Sequence, residues 1–423
     1  MNSRGNTQRT GEPQVKRDKL WTPLFVMLIV MSLCTFIVSQ GLNSGTSVYL
    51  SVSGLGTELA GVSAALFSIG AAVMRLFCGP LLDQRGRFIT LAIGFAILIV
   101  ATFVPTLKLG LAALVVCRAC QGIGFSLATT AAATMAADVL PFSRLGEGIG
   151  FFGLGQAIAM SVGPAFALFL LGTDSPENLY GTLAIMATAA LVIGIFSRYE
   201  NKIERLPEQS TYRLRAEERR AGKTEAPKQK EPFLHRIFVK SALAGAIPAF
   251  LMAPLMGFSL YFCSLFGTTY GIENAGLYYT LSAVTMIVVR IFSNRFMDAL
   301  PPKVTMGIGC AAGTVTLILL FIVSQTPSPE AASGLFYVAG LIFGAYNGLL
   351  LPLTQSVAVK CTHPDRWGAA NALSQLALDI GIGCACVLWG FTNAAFGFPV
   401  TIVACIASPV LAFVAALICF PKK

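Results

Sequence analysis

Apolar runs of roughly 20 residues, broken by short polar turns, recur along the whole chain. We count twelve, starting near residues 21, 61, 89, 110, 147, 179, 237, 275, 304, 332, 367 and 397. A run of that length crosses a hydrocarbon core about 30 Å thick as a helix. Lipid offers no water to backbone N–H and C=O groups, so each run is predicted to be helical. The predicted fold class is an all-α membrane protein with twelve transmembrane helices. One break differs from the rest. Residues 198–240 hold twelve bases and seven acids with few large apolar side chains, a composition that cannot bury a core. The pattern divides the chain into a polar tail (1–20), a six-helix bundle (21–198), a linker expected to be flexible or partly helical (199–236) and a second six-helix bundle (237–423).

The halves match each other weakly but repeatedly. Arg75 precedes Asp83 by eight residues, and Arg290 precedes Asp298 by eight, with RLFCGPLLD set against RIFSNRFMD. Further on, QGIGF is set against IFGAY and SRLGEG against DRWGAA, with Gly122 matching Gly344 and Gly146 matching Gly368 at a constant offset of 222. Six spans per half with these matches indicate two parallel repeats about an axis normal to the membrane.

Composition adds sidedness. The 423 residues are 55% hydrophobic and 12% charged, with mean hydropathy +0.72, against about a quarter charged in soluble domains. With the amino terminus inside, outer loops fall near residues 51–60, 105–109, 172–178, 268–274, 325–331 and 393–397. Of 30 Lys and Arg, only Lys108 lies there, beside the five acids Glu58, Asp174, Glu177, Glu273 and Glu330. Arg75, Arg118 and Arg290 lie within spans, and the other 26 bases fall on the inner side. Basic loops stay inside, so both termini are expected to be cytoplasmic in a cell membrane. The net charge of +10 then reflects topology and anionic lipid headgroups rather than nucleic acid. The first 20 residues, with Arg4, Arg9, Lys16, Arg17 and Lys19 and no small-residue cleavage site, read as a retained tail rather than a secretory signal.

Other chemistry is thin. None of the eleven cysteines falls in an outer loop, so no disulfide is expected. Cys117/Cys120 and Cys384/Cys386 have metal-like spacing but sit in apolar helices, where free Cys packs as a small hydrophobe. No metal and no cofactor are expected. His235 and His363 fall in inner segments and cannot relay protons at the midplane. No zinc-protease motif, paired catalytic acids or Ser/His arrangement occurs in the spans, so no enzyme activity is expected.

Four constellations remain. GPLLDQRGRF (79–88) packs an acid and two bases into a tight turn between the second and third spans. Gly79 and Gly86 there permit close approach or a sharp turn. Asp83 stands where the preceding helix meets water, with Arg85 and Arg87 beyond it. RACQGIGFS (118–126) puts Arg118 and Gln121 in the fourth span, with Arg118 about 12 Å deep at 1.5 Å per residue. An arginine in lipid is costly. It is either satisfied by neighbouring carbonyls and hydroxyls or used in coupling and substrate contact. GFFGLGQAIAMSVGPA (150–165) lines up Gly155, Gly163 and Pro164 in the fifth span. A neighbouring helix can approach such a smooth face, and the proline lets the span bend; ordinary small-residue packing is the alternative. Asp379 is the acid lying well inside a span, and Asn371, Gln375 and Asp379 share one helix face at i, i+4 and i+8. A desolvated carboxyl there suits a group that loads and releases protons. Alternatively, Arg75 or Arg290 pairs with it and holds it ionised. Glu147, close to Arg144, reads either as a solvated partner or as a functional acid.

The turn resembles the loop between helices two and three of the major facilitator superfamily. The R-x-x-Q-G-x-G of the fourth span is similar to that family's helix-four pattern. The spaced glycines ending in Gly163-Pro164 resemble the antiporter motif of its exporting members, in the 12-span drug:proton antiporter branch and related metabolite exporters. Members often continue with two more glycines, whereas Ala165, Phe166 and Ala167 follow here. The resemblance spans the whole chain and implies alternating access, with two bundles rocking about a central site. It implies that Asp83 meets the start of the eleventh span as a gate, that Arg87 and Asp138 complete the latch, and that Arg118 serves proton coupling. The expected function is proton-coupled efflux of a small amphiphilic, anionic or zwitterionic compound by a membrane-embedded monomer; uptake of a small organic anion by symport is the alternative. Three buried arginines against one Asp379 favour a carboxylate-bearing substrate. Arg75 and Arg290, at matching positions, are expected to face the cavity or else to snorkel to headgroups.

Overall fold

Glycine and proline set most of the breaks between helices in the computed structural model, which describes residues 19–421 apart from 54–55, 142–143, 173–175, 201–202, 207, 209, 211, 214–216, 218–238 and 363–365. Helix α1 (Pro23–Val52) starts with a proline in its first turn, and the Phe25 N–H donates to Thr22 Oγ1 at 3.2 Å, a side-chain cap. Helices α2 (Thr57–Arg85) and α3 (Arg87–Phe103) are separated by Gly86 alone, at φ 89°; a side chain at that φ would be strained, so glycine makes the sharp turn possible. The first half continues with α4 (Leu111–Val139), α5 (Leu145–Leu171) and α6 (Pro176–Phe196). The second half holds α7 (Leu243–Tyr261), α8 (Cys263–Thr269), α9 (Gly276–Ala299), α10 (Pro302–Gln325), α11 (Pro329–Lys360), α12 (Trp367–Cys405) and α13 (Ala407–Cys419).

Ten stretches among the described residues are long and apolar enough to cross a membrane. The last of them, Ala369–Cys419, has 51 residues, and Gly397 at φ 78° breaks its helix within α12. Dividing it there and counting α9, whose apolar part Gly276–Arg290 is shorter than a full span, brings the count to twelve. Large apolar side chains stand on the outside, such as Ile418 at 78%, Ile185 at 73% and Phe169 at 70% exposed, an arrangement suited to lipid.

The halves repeat one packing scheme around two cores. In the first, α1 packs on α5 and α6, while α2 and α3 pack on α4; in the second, α7 packs on α12 and α13, while α9 and α10 pack on α11. Between the halves, α2 lies along α12 and α5 along α9. An even number of crossings puts both described chain ends on one side, hereafter the terminal end, together with the α2–α3 turn.

The far end is closed. A Cβ built on Gly61 would lie 2.4 Å from the Cys386 carbonyl oxygen and 2.9 Å from the Gly390 Cα, so α2 and α12 meet there backbone to backbone. Thr57 Oγ1 donates to the Gly390 carbonyl at 3.4 Å, Gly276 packs on Ala165, and the Ser44 and Ser264 hydroxyls share a hydrogen bond. Toward the terminal end the fit loosens. Gly79 is exposed, and a Cβ there would meet nothing within 4 Å.

Candidate functional site

Arg118 stands on α4 between the bundles and is 1% exposed. Its Nη1 donates to Gln121 Oε1 and its Nη2 to Asn43 Oδ1, both at 2.8 Å. Its guanidinium lies over the Phe67 ring, 4.8 Å from the centroid, a favourable cation–π placement in a dry site. Gln121 in turn donates to the Ala101 carbonyl at 3.0 Å. The arginine therefore ties α4 to α1, α2 and α3. Its Nε is buried without a hydrogen-bond partner, and among the described residues no carboxylate forms an ion pair with it. The amides thus hold a fixed cation in place and leave its charge uncompensated.

The matching arginines both reach across the bundle interface. Arg75 on α2 donates through Nε to Asp379 Oδ2 on α12. Arg290 on α9 donates through Nη1 to the Gly153 carbonyl on α5 at 3.2 Å. Of the two sequence alternatives for Asp379, the structure brings Arg75 to it. Their side chains are 20% and 17% exposed, respectively. Further toward the terminal end on α12, Gln375 is half-buried and Asn371 exposed.

At the α2–α3 turn, Arg87 Nε donates to Asp138 Oδ2 at 3.1 Å and its Nη1 to the Leu82 carbonyl at 3.3 Å. The side chains of Asp83 and Glu147 lie outside the described residues, as do His235 and His363. On α5, Gly163 lies against α1, where a Cβ would meet Gln40 Cβ at 2.6 Å and the Ile37 carbonyl at 2.9 Å, while Gly155 packs more loosely on Ile29. The α5 helix is continuous through Pro164, so this smooth face makes close packing within the first bundle.

The segment after α6, whose composition cannot bury a core of its own, sets Tyr199 and Ser210 fully buried and Leu206 2% exposed. Three apolar residues at its start, Tyr199, Leu206 and Tyr212, pack with the first bundle's core. Glu200 accepts from the Arg87 and Phe88 N–H groups at 2.7 and 3.1 Å, and Tyr199 donates to Asp138 at 2.8 Å. Neither residue was singled out in the sequence, and neither was Asn43. A polar amide within an apolar run was the available signal for Asn43. Tyr199 and Glu200 gave none, because their partners lie 61 and 112–113 positions away.

A cleft of about 380 Å³ at the far end is lined by residues including Tyr49, Lys108 and Tyr180, apart from Asp379 and the α2–α3 turn. Among the described residues no three His, Cys, Asp or Glu side chains gather as a metal site.

Comparison with known proteins agrees with this architecture. The model of the Major Facilitator Superfamily matches residues 28–358 and 275–423. A staphylopine export protein of Staphylococcus aureus (strain Mu50 / ATCC 700699) is 21% identical over 371 residues, covering 84% of this chain and 87% of that protein. Among solved structures, the nucleoside transporter NupG aligns with TM-score 0.71 at 14% identity over 95% of this chain and 100% of that one. A D-xylose-proton symporter aligns with TM-score 0.70 at 15% identity, over 94% and 96%. At such identities the solved structures speak for the fold alone. With paired six-helix bundles, arginines bridging them, and a family match running nearly end to end, the chain belongs to the Major Facilitator Superfamily and is a multi-pass membrane transport protein, not an enzyme.

Proposed function

We propose that the chain exports a small organic compound bearing at least one carboxylate, anionic or zwitterionic, in exchange for protons. The observation that carries this reading is the Arg75–Asp379 pair, which joins the two bundles through the acid lying well inside a span. Protonating Asp379 removes the charge that holds Arg75. Proton loading and the parting of α2 from α12 then become one event, and each state is favoured by what it binds. The Arg290–Gly153 bond on the other side of the interface parts in the same motion. Arg118, with a bare N–H and no paired carboxylate among the described residues, is the fixed cation that a substrate carboxylate meets as the bundles separate; in a low-dielectric site that attraction is far stronger than in water.

The gate in this reading is the α2–α3 turn, with Gly79, Asp83, Gly86 and Arg87 supported by Asp138. The terminal end faces the cytoplasm, because the basic loops gather there. The working unit is a monomer in the cell membrane, and residues 199–236 join the bundles. Export is supported by similarity to an export protein and by the glycine face of α5 at Gly155, Gly163 and Pro164. The second reading, proton-coupled uptake of a small organic anion, is supported by the fold shared with a proton symporter.

Counterflow in proteoliposomes tests the substrate class. Labelled carboxylates, zwitterions and lipophilic cations would be offered in turn, each acid paired with its methyl ester. Exchange of a carboxylate but not of its ester is the expected result. Exchange of cations with no response to any acid would overturn the proposal.

A further inference from the structure

Arg198, Tyr199, Glu200 and Tyr212, which follow α6, fold back onto the α2–α3 turn. Helix α3 needs an outside partner, because its cap, Gly86, has no side chain to accept from the first N–H groups. Glu200 fills that role across 113 positions of sequence, taking the Arg87 N–H at 2.7 Å on Oε1 and the Phe88 N–H at 3.1 Å on Oε2. Two of the four free donors at a helix start are satisfied by one carboxylate, whose charge sits at the favourable end of the helix dipole. Asp138 Oδ2 receives two donors, Arg87 Nε at 3.1 Å and the Tyr199 hydroxyl at 2.8 Å. Burial and the adjacent Asp138 carboxylate keep the Tyr199 phenol far above its ordinary titration range, so it remains a donor at every physiological pH. Tyr212 stacks edge-on against Tyr199 at 5.3 Å and lies under the Arg87 guanidinium at 5.6 Å. Arg198 lies over the Phe88 ring at 4.9 Å, and Ser210 pairs with the Pro141 backbone.

We propose that this segment is a working part of the gate, in which Tyr199 and Glu200 are positioning residues that hold Arg87 and the start of α3 while α2 moves against α12. Every partner just named belongs to the first bundle, so the turn is braced from its own side and moves with that bundle as a unit. A segment that merely tethered the chain would need only buried Leu206 and the Pro141–Ser210 pairing. Tyr199 and Glu200 instead direct their polar atoms at Arg87, Phe88 and Asp138. The inference rests on the alternating-access reading above, but on neither its solute nor its direction.

The test needs no solute. Ala64 is fully buried among second-bundle side chains, so the variant Ala64→Cys reacts with a maleimide only when the far end opens and the gate end is closed. Labelling at position 64 would be read by peptide mass spectrometry in the full-length protein, so native cysteines do not interfere. Tyr199→Phe keeps the ring and loses one oxygen; Glu200→Gln keeps the size and loses the charge. Each is expected to cut the labelling rate at least threefold at unchanged thermal stability, with Glu200→Asp in between. Leu183→Ala, a packing change in the first bundle's core away from the turn, serves as control and is expected to lower stability while leaving the labelling rate of folded protein unchanged. Wild-type labelling in both Tyr199→Phe and Glu200→Gln would overturn the proposal. So would a loss of labelling that only tracks loss of folded protein, as would an equal drop in Leu183→Ala.

Discussion

Arg75 and Asp379 bond across the interface between the two bundles, the first from α2 and the second from α12. The pair is held between a far end shut by glycine contacts and a terminal end where Gly79 meets nothing. Removing one partner of a fully buried pair costs about 3–5 kcal/mol; with roughly a fifth of each side chain exposed, solvent screens part of that here.

Asp379→Asn keeps the shape and removes the charge. It is expected to abolish accumulation against a gradient while leaving solute exchange at a third or more of the wild-type rate. Parallel assays of uphill transport and counterflow check this. Intact accumulation with a normal pH dependence would move the proton carrier elsewhere.

Arg118→Gln should raise KM for a carboxylate-bearing solute at least tenfold, with little change for its ester. Arg118→Lys should not restore affinity, because one ammonium cannot reproduce the planar fork that bonds Asn43 and Gln121 together. Equal KM values in wild type and Arg118→Gln would remove this residue from the binding site.

Gly61→Val forces a side chain into the space that the Cys386 carbonyl and Gly390 occupy. The far end then cannot shut as it does here, and overpacking of this kind costs about 1–3 kcal/mol. Maleimide labelling of Ala64→Cys in this background should rise at least threefold, while net transport falls. Unchanged labelling would mean that the glycine contact does not govern closure.

Asp83 stands in the last turn of α2, where the negative end of its own helix dipole disfavours an acid. Local helix stability therefore does not account for it. Asp83→Asn is expected to lower transport at least fivefold at equal membrane expression. Full transport by that variant would remove Asp83 from the gate.

Much of this was legible in the sequence, for identifiable reasons. The spans read clearly because lipid forces long uninterrupted apolar helices, and Arg118 and Asp379 stand out because charges in such runs are rare. Gly86 marks the α2–α3 turn by itself. The choice of Arg75 over Arg290 as partner of Asp379 depends on the antiparallel alignment of α2 with α12, seen also in Gly61 against Cys386 and Gly390; no local pattern encodes it. The same holds for Glu200, whose capping role exists only once α6 returns the chain beside α3. A basic, polar composition reads as a flexible or partly helical linker and gives no sign that Tyr199, Leu206 and Tyr212 pack with the first bundle's core.

The direction of proton movement tests the central claim most directly. Proteoliposomes carrying a trapped pH dye would receive an outwardly directed gradient of a transported carboxylate, with wild type and Asp379→Asn compared at equal protein. Exchange for protons predicts that solute efflux acidifies the wild-type lumen and leaves the Asp379→Asn lumen unchanged. Protons leaving together with the solute, or acidification that persists undiminished in Asp379→Asn, would contradict the account.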